Sequence, residues 1–302
     1  MVIQEVLAAT QIGFPALSVL VGLPLVTAAL VALCSAPRLA YGVAVGGAMI
    51  ELALCAWVLN VFVPGSADMQ FVERSGMYHL GIDGISALFL PLTALLTLLV
   101  TLHAEPGSDG LRGYLIAVQG FAAAMMGAFV SVDLLLFWAF FVDELIPSYY
   151  LITRFGTGDR RYQAANVYLG FMAVAAAAML GGFLLLGHHY ASVTGQTSYD
   201  LIELLTVPVP AALQLTIFAA LCLALAIKAP IFPFHTWMPR VLEQGPIVGM
   251  SVFLVGVKLG TYGFLRFVVP LLPEEKAILP DLVSARLVQR ILLSALLGRG
   301  AR

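Results

Sequence analysis

Long apolar stretches limit what this sequence can fold into. A membrane-spanning helix needs about 20 apolar residues, and eight stretches of the 302-residue chain reach that length or approach it. They are 15–35, 40–63, 84–103, 113–131, 133–152, 166–187, 209–229 and 247–270. With 61% hydrophobic residues, 11% charged residues and a mean hydropathy of +0.99, the composition excludes a soluble domain. The runs are too long and continuous for barrel strands, so we predict an all-α polytopic membrane protein.

The distribution of arginine predicts how the helices are oriented. Loops on one side of the predicted helices carry Arg38, Arg112, Arg154, Arg160, Arg161 and Arg240, and loops on the other side carry Arg74 and Arg266. Because positive residues accumulate in cytoplasmic loops, the first side is predicted to be cytoplasmic and the N-terminus outside, in a bacterial inner membrane. The formal net charge of −2 gives no reason to expect a nucleic-acid partner.

The predicted helices divide the chain into three regions. Residues 1–112 hold helices 1–3 and a polar interfacial segment, 64–83, while residues 113–270 hold the next five helices. In the tail, 271–302, charged residues recur at near-helical spacing among leucines, which predicts an amphipathic helix. The three cysteines lack metal-ligand spacing, and no phosphate-binding or dinucleotide motif is present, so we expect no cofactor or metal in this chain.

A break is predicted at the end of the seventh apolar stretch. Lys228 lies within that stretch, and Pro230 and Pro233 follow at once. Because proline has no N–H, the carbonyls of Ala226 and Ala229 are predicted to lack their helical partners and to need water or another polar group. Breaks of this kind mark ion paths in membrane proteins, and the sequence therefore predicts a polar, hydrated interruption here.

Ionisable side chains inside spans are candidates for proton transfer. A charge at mid-bilayer costs about 2.5 to 3.5 kcal/mol, yet Lys228 and Lys258 both fall within predicted spans. Each could hold or release a proton, or could reach the interface or form a structural ion pair. Neighbouring helical residues point about 100° apart, so at most one of Asp143 and Glu144 can face Lys228; Glu144 is the preferred partner and Asp143 the alternative. His235 either relays protons or is a hydrogen-bonded structural residue.

Glu51 is a further candidate, on the second predicted helix. It has one face of that helix to itself and could pair with another helix or with another subunit.

Two motifs carry a family resemblance. Ile-Lys-Ala-Pro-Ile-Phe-Pro-Phe-His-Thr-Trp-Met-Pro at 227–239 and Lys-Leu-Gly-Thr-Tyr-Gly-Phe-Leu-Arg-Phe at 258–267 resemble the proton-translocating antiporter-like subunits of respiratory complex I. The similarity is to the M (ND4) type, which is related to Mrp antiporter subunits. Tyr-His-Leu-Gly-Ile-Asp-Gly-Ile-Ser at 78–86 and Asp-Leu-Leu-Leu-Phe-Trp-Ala-Phe-Phe at 133–141 extend it.

The resemblance implies a proton path. In the family a seventh-helix lysine pairs with a fifth-helix glutamate and passes protons to an eighth-helix lysine; these lysines correspond to Lys228 and Lys258. The family's acid falls on Val142, so Asp143 or Glu144 would have to act from a rotated direction. The family has two inverted repeats of five helices, and this sequence matches the first, its helices 4–8.

Three functions are compatible with these features. The leading hypothesis is a membrane subunit of a complex I-like assembly with a proton half-channel, driven by partner subunits that would hold any quinone, NADH, FMN or iron–sulfur cluster. The first alternative is a structural subunit that does not pump. The second is the membrane partner of an inorganic-carbon uptake or Mrp-like complex, which would couple an ion gradient to its work.

Overall fold

The fold is a bundle of membrane helices. The computed structural model describes residues 4–66, 68–246 and 250–272, and most of these residues are helical. Seven helical segments in these residues are long and apolar enough to span a membrane. They are α2 (Ala16–Leu33), α3 (Pro37–Val61), α4 (Ser86–His103), α5 (Leu111–Val130), the pair α6 and α7 (Leu134–Phe155), α8 (Arg161–Thr194) and α10 (Ala211–Lys228). The prediction of an integral, all-α polytopic membrane protein is confirmed.

The eighth predicted span is described from Met250 onward. It begins as α12 (Met250–Gly263), continues through a π-helical turn (Phe264–Val268) and ends as α13 (Val269–Leu271). The predicted amphipathic helix of the tail lies outside the described residues.

The fifth span is broken in its middle. It consists of α6 (Leu134–Asp143) and α7 (Leu145–Phe155), with Glu144 between them. Pro147 is the cause, because it has no N–H to donate to the carbonyl of Asp143 one turn earlier. Proline is tolerated in the first turn of α7, because N–H groups there have no partner within that helix. The carboxyl group of Glu144 therefore projects from a helix break.

The seventh span also ends at a break. After α10 the chain makes a short 3₁₀ turn (Phe234–Thr236) and enters α11 (Trp237–Gln244). The Ala226 carbonyl cannot bond to Pro230, its usual helical partner, and instead accepts a 2.9 Å hydrogen bond from the N–H of Ile231. The next carbonyl, that of Ile227, accepts from the indole N–H of Trp237 at 2.9 Å. A backbone N–H group is therefore the polar partner that the Ala226 carbonyl was expected to need.

Within the polar segment 64–83, residues 69–82 fold as a β-hairpin that the sequence did not predict. Strands β2 (Met69–Ser75) and β3 (Tyr78–Ile82) pair antiparallel, and β1 (Glu5–Leu7), which precedes the short helix α1 (Ala8–Gln11), adds to β2 in parallel. Most of the hairpin is buried on both faces, so its sequence lacks the apolar–polar alternation of a half-exposed sheet. The hairpin packs at one end of α2 and α5.

The helix α5 lies at the centre of the bundle. It is buried along most of its length and packs against α2, α4, α6, α7 and α12. The helix α8 packs against α10, and it continues to Thr194, beyond its predicted end at 187. A one-turn helix, α9 (Leu201–Leu204), follows the loop after α8.

Candidate functional site

The ammonium group of Lys228 forms an ion pair with the carboxylate of Glu144 inside the bundle. Lys228 is 2% exposed and Glu144 is fully buried. Each residue lies at a helix break, Lys228 at the end of α10 and Glu144 between α6 and α7. Both breaks meet at one point, so two backbone interruptions in an apolar bundle bring opposite charges together.

Two further groups donate hydrogen bonds to the Glu144 carboxylate. The hydroxyl of Tyr168, on α8, lies 3.1 Å from one oxygen, and the hydroxyl of Ser148, one turn along α7, lies 3.1 Å from the other. Tyr168 in turn packs against Trp237 with ring centroids 5.4 Å apart. Buried carboxylates need such donors, because an ion pair alone leaves most of their lone pairs unsatisfied. The site is thus arranged to hold Glu144 in its ionised form.

Lys228 has an aromatic neighbour as well as its counter-ion. Its ammonium nitrogen lies 4.8 Å from the ring centroid of Phe141, one turn before Glu144 on α6. A cation above an aromatic face is attracted by the negative face of the ring. The ammonium group therefore has one charged and one aromatic partner, and of the two only Glu144 can accept a proton from it.

Of the two candidate acids, the structure brings Glu144 to Lys228 and leaves Asp143 elsewhere. Asp143 is exposed on the outer surface of the bundle, where it lines an open groove of about 470 Å³ with Ile146 and Tyr150. Val142, at the family's position for the acid, is half-buried and packs against the core. Glu144 lies two residues after Val142, and it still forms a direct ion pair with Lys228 because the helix breaks at Glu144.

The other two predicted site residues do not join this ion pair. Lys258 lies on α12 and is exposed on the surface of the described chain. His235 is half-buried in the 3₁₀ turn, and its Nδ1 atom is buried without a hydrogen-bond partner among the described residues. A contact of either residue with Lys228 is absent from the described part of the chain. Their predicted roles in proton transfer stay predictions.

Sequence reasoning missed an anchor at the end of the eighth span. Tyr262 donates to the carbonyl of Phe129 at 2.9 Å, and its oxygen also lies 3.2 Å from the hydroxyl of Ser86. Arg266 forms an ion pair with Asp83, at the start of α4. Both residues belong to the motif at 258–267, and they tie α12 and its π turn to α4 and α5.

A second ionic cluster lies outside the spans, beside the hairpin. The ring of fully buried His79 hydrogen-bonds to Asp200, and Arg74 pairs with Glu203 and lies 3.5 Å from Asp200. Burial raises the pKa of the Asp200 carboxyl, but the hydrogen bond and charge of His79 and the charge of Arg74 outweigh it, so this pKa lies below its usual value. The Asp200 carboxylate also accepts hydrogen bonds from two backbone N–H groups in α9, those of Ile202 and Glu203. The cluster joins the hairpin to the loop after α8.

Groups of three or more metal-ligating side chains are absent from residues 4–66, 68–246 and 250–272.

Two broken helices that meet at a buried lysine–glutamate pair are typical of membrane proteins that move ions. Residues 131–299 match the family described as NADH:quinone oxidoreductase/Mrp antiporter, transmembrane. The chain therefore belongs to this family, as the sequence motifs predicted.

Individual relatives agree with the family assignment. The chain is 34% identical to NADH-quinone oxidoreductase subunit M of Rhodobacter capsulatus over 283 residues, which cover 85% of this chain and 54% of the relative. It is 39% identical to NADH-ubiquinone oxidoreductase chain 4 of Metridium senile over 201 residues, or 66% of this chain and 40% of the relative. The chain thus spans about half the length of the curated relatives it matches.

Solved structures show the same fold. A chain of respiratory complex I from Thermus thermophilus with bound NADH superposes with a TM-score of 0.76 at 28% identity, over 88% of this chain and 56% of the other. A chain of the Mrp complex from a Dietzia species gives a TM-score of 0.68 at 21% identity, over 83% of this chain and 27% of the other. The second similarity concerns the fold alone.

Proposed function

We propose that this chain is a membrane subunit of a complex I-like assembly and carries a proton half-channel. The observation that carries the proposal is the buried ion pair between Lys228 and Glu144, at the meeting point of two helix breaks. Membership of the family supports it, as do the relatives that are subunits of NADH-quinone oxidoreductases.

Proton transfer follows from the balance of charge at this pair. While Glu144 is ionised, it stabilises the protonated form of Lys228. When the carboxylate is neutralised or its donors turn away, the ammonium group becomes an unpaired charge in an apolar site and loses its proton. Tyr168 and Ser148, which bind the carboxylate, set how strongly it holds the lysine.

Lys258 is the proposed acceptor of that proton, and His235 lies on the route between the break and the bundle surface. Asp143 contributes from outside the pair as a second acid of the same break. Water would connect these groups, because the described structure shows no direct contact between Lys258 or His235 and Lys228. The exposure of Lys258 supports an exit toward a neighbouring polypeptide rather than toward lipid.

The assembly supplies what this chain lacks. We propose that it is a non-redox subunit, that any quinone, NADH, FMN or iron–sulfur cluster belongs to its partners, and that those partners are other membrane subunits of the complex. Residues 1–112, 113–270 and 271–302 are proposed as N-terminal helices, antiporter-like repeat and amphipathic tail. The arginine-rich loops are proposed to face the cytoplasm of a bacterial inner membrane, with the N-terminus outside.

The test replaces the lysine in the intact assembly. The complex is purified from its native membrane, reconstituted into vesicles and assayed for proton uptake with a pH-sensitive dye, together with electron transfer. Lys228→Met should lower the number of protons moved per electron while electron transfer continues. Because Lys228→Met leaves Glu144 as a lone buried charge, at a cost of about 3 to 5 kcal/mol, the double variant Lys228→Met with Glu144→Gln is measured in parallel.

The double variant separates folding from function. It removes both charges, so the complex should assemble as the wild type does and still translocate fewer protons. Unchanged proton uptake in an assembled double variant would show that the half-channel does not run through this pair. If the double variant only reduces the amount of assembled complex, and the complexes that form move the normal number of protons per electron, the result would favour a structural subunit.

A further inference from the structure

Glu51 is a buried carboxyl group without a partner among the residues that the structure describes. It lies in the middle of α3, its side chain is 2% exposed, and neither of its carboxyl oxygens has a hydrogen-bond partner among the described residues. The sequence-based expectation was that Glu51 could pair with another helix or subunit. Its burial within the bundle excludes a position on the outer surface, and no described ion pair includes it.

The helices around Glu51 offer no counter-ion. The buried face of α3 packs against α2, α4 and α5. The helix α2 has no ionisable side chain, α4 has only His103 in its last turn, and α5 has only Arg112 and Tyr114, in its first turn. On α3 the nearest ionisable group is the thiol of Cys55, one turn further on. An ionised Glu51 would be an isolated charge in apolar surroundings, whereas a neutral carboxylic acid is far less costly there.

Two buried polar side chains from neighbouring helices contact one face of α3, on the N-terminal side of Glu51. The amide of Gln119 on α5 donates to the carbonyl of Ala44 at 3.4 Å, and the hydroxyl of Thr27 on α2 packs directly on Gly47. Gln119 and Thr27 are 2% and 3% exposed. Positions 44, 47 and 51 follow one another along a single helix face over about 10 Å. Ionisable residues within spans mark paths for ions or protons, and Gln119 and Thr27 place polar groups beside the ionisable Glu51 in an otherwise apolar interior.

We propose that Glu51 is a proton-binding site of this protein, separate from the Lys228–Glu144 pair and reached from the N-terminal end of α3 along Gln119 and Thr27. Its ligand is a proton delivered by water: the carboxylate takes a proton from hydronium, and a water molecule remains. In the resting protein the site holds a neutral acid. The site goes beyond the proposed half-channel, because it lies on different helices and no described hydrogen bond or ion pair connects the two.

Infrared spectroscopy of the intact assembly tests this directly. The difference spectrum between wild type and Glu51→Gln at pH 7 should contain the carbonyl stretching band of one neutral carboxylic acid. Asp143→Asn is the matched control, because it removes an exposed acid of the same bilayer region and should leave the Glu51 band in place. Glu51→Asp keeps the acid and should shift the band rather than remove it, so the assignment does not depend on the glutamine variant folding.

Exchange into heavy water tests the route. The Glu51 band should move to lower wavenumber as the acid exchanges its proton, and Thr27→Val, which removes the hydroxyl at constant size, should slow this shift at least tenfold. Carboxylate bands in place of the neutral-acid band would overturn the proposal, since Glu51 would then be ionised by a counter-ion. A band that does not shift in heavy water would also overturn it, and an unchanged rate in Thr27→Val would refute the route.

Discussion

At the scale of single residues, the chemistry of Glu144 depends on how many groups donate to it. A buried ion pair is stabilising only when its remaining lone pairs are satisfied, and here Tyr168 and Ser148 supply the two hydrogen bonds that Lys228 does not. Glu51 is the opposite case, since none of the described residues donates to it. Two glutamates in one bilayer are therefore expected to differ in charge, because only one of them is surrounded by donors.

Asp200 offers a prediction for residues outside the spans. Asp200→Asn keeps an oxygen that can cap α9 but removes the charge facing His79 and Arg74, and hydrogen bonds to charged groups contribute about 1.5 to 3 kcal/mol. Because the folded-state pKa of Asp200 lies below the usual 3.8, its stabilisation is complete above that pH and is lost as the pH falls through the folded value. The variant should unfold at lower temperature than the wild type at pH 7.

The measurement is thermal unfolding in detergent at a series of pH values. The gap between the two unfolding temperatures should close as the pH is lowered below 3.8. A gap of the same size at pH 7 and in acid would show that the charge of Asp200 does not stabilise the fold. Thr10→Val, which removes a hydrogen bond to the backbone carbonyl of Leu7 outside the spans, is the control and should show no such closing.

A contact between distant residues could be predicted only where the sequence resembles a known family, as for Lys228 and Glu144, which lie 84 positions apart. The 100° turn between neighbouring helical residues showed that only one of Asp143 and Glu144 could face Lys228, and it did not show which one. The pairing of His79 with Asp200 joins residues 121 positions apart, and no periodicity relates them. The exposure of Lys258 could not be predicted either, because the sequence of an apolar helix does not show which of its faces other helices cover.

At the scale of helices, close approach of α12 to α10 fixes the end of the helix that carries Lys228. A Cβ atom added at Gly260 would lie 2.6 Å from the backbone nitrogen of Ala229 and 2.9 Å from the carbonyl oxygen of Leu225. Small residues let membrane helices approach in this way, and backbone atoms cannot move aside as a flexible side chain can. The two helices must therefore separate if the glycine is replaced.

Gly260→Ala is expected to destabilise the protein by about 1 to 3 kcal/mol, as overpacking of a close interface does. Gly181→Ala on α8 is the matched control, because a Cβ atom there meets nothing within 4 Å. Thermal unfolding in detergent compares the two variants. Equal unfolding temperatures would mean that α12 and α10 do not depend on this contact.

Helix positions were more predictable than contacts, because bilayer thickness sets the length of a span. Each of the seven described spans overlaps its predicted stretch, and the break after Lys228 follows from the two prolines. The hairpin escaped prediction because most of it is buried on both faces, and β1 has only three residues. The helix α8 extends past its predicted end because residues beyond the apolar run stay helical to Thr194.

At the scale of the whole molecule, the described bundle presents charge on surfaces at bilayer depth. Lys258 is exposed on α12, and Asp143 is exposed beside an open, mainly apolar groove at the break between α6 and α7. A charge left in lipid costs about 2.5 to 3.5 kcal/mol, so these two faces are expected to be covered by polypeptide. The exposed face of α8 around Val174 is apolar and has no such requirement.

Photo-cross-linking tests this difference while leaving Lys258 in place. A benzophenone-bearing residue replaces Leu265, which is exposed in the π-helical turn after α12 and lies about two turns beyond Lys258, and in a second variant it replaces Val174. Illumination of native membranes should join position 265 to a polypeptide and position 174 to lipid, read by mass spectrometry. Lipid adducts at both positions would mean that Lys258 faces the bilayer, and the proposed exit from Lys228 through Lys258 to a neighbouring polypeptide would then have no receiving group.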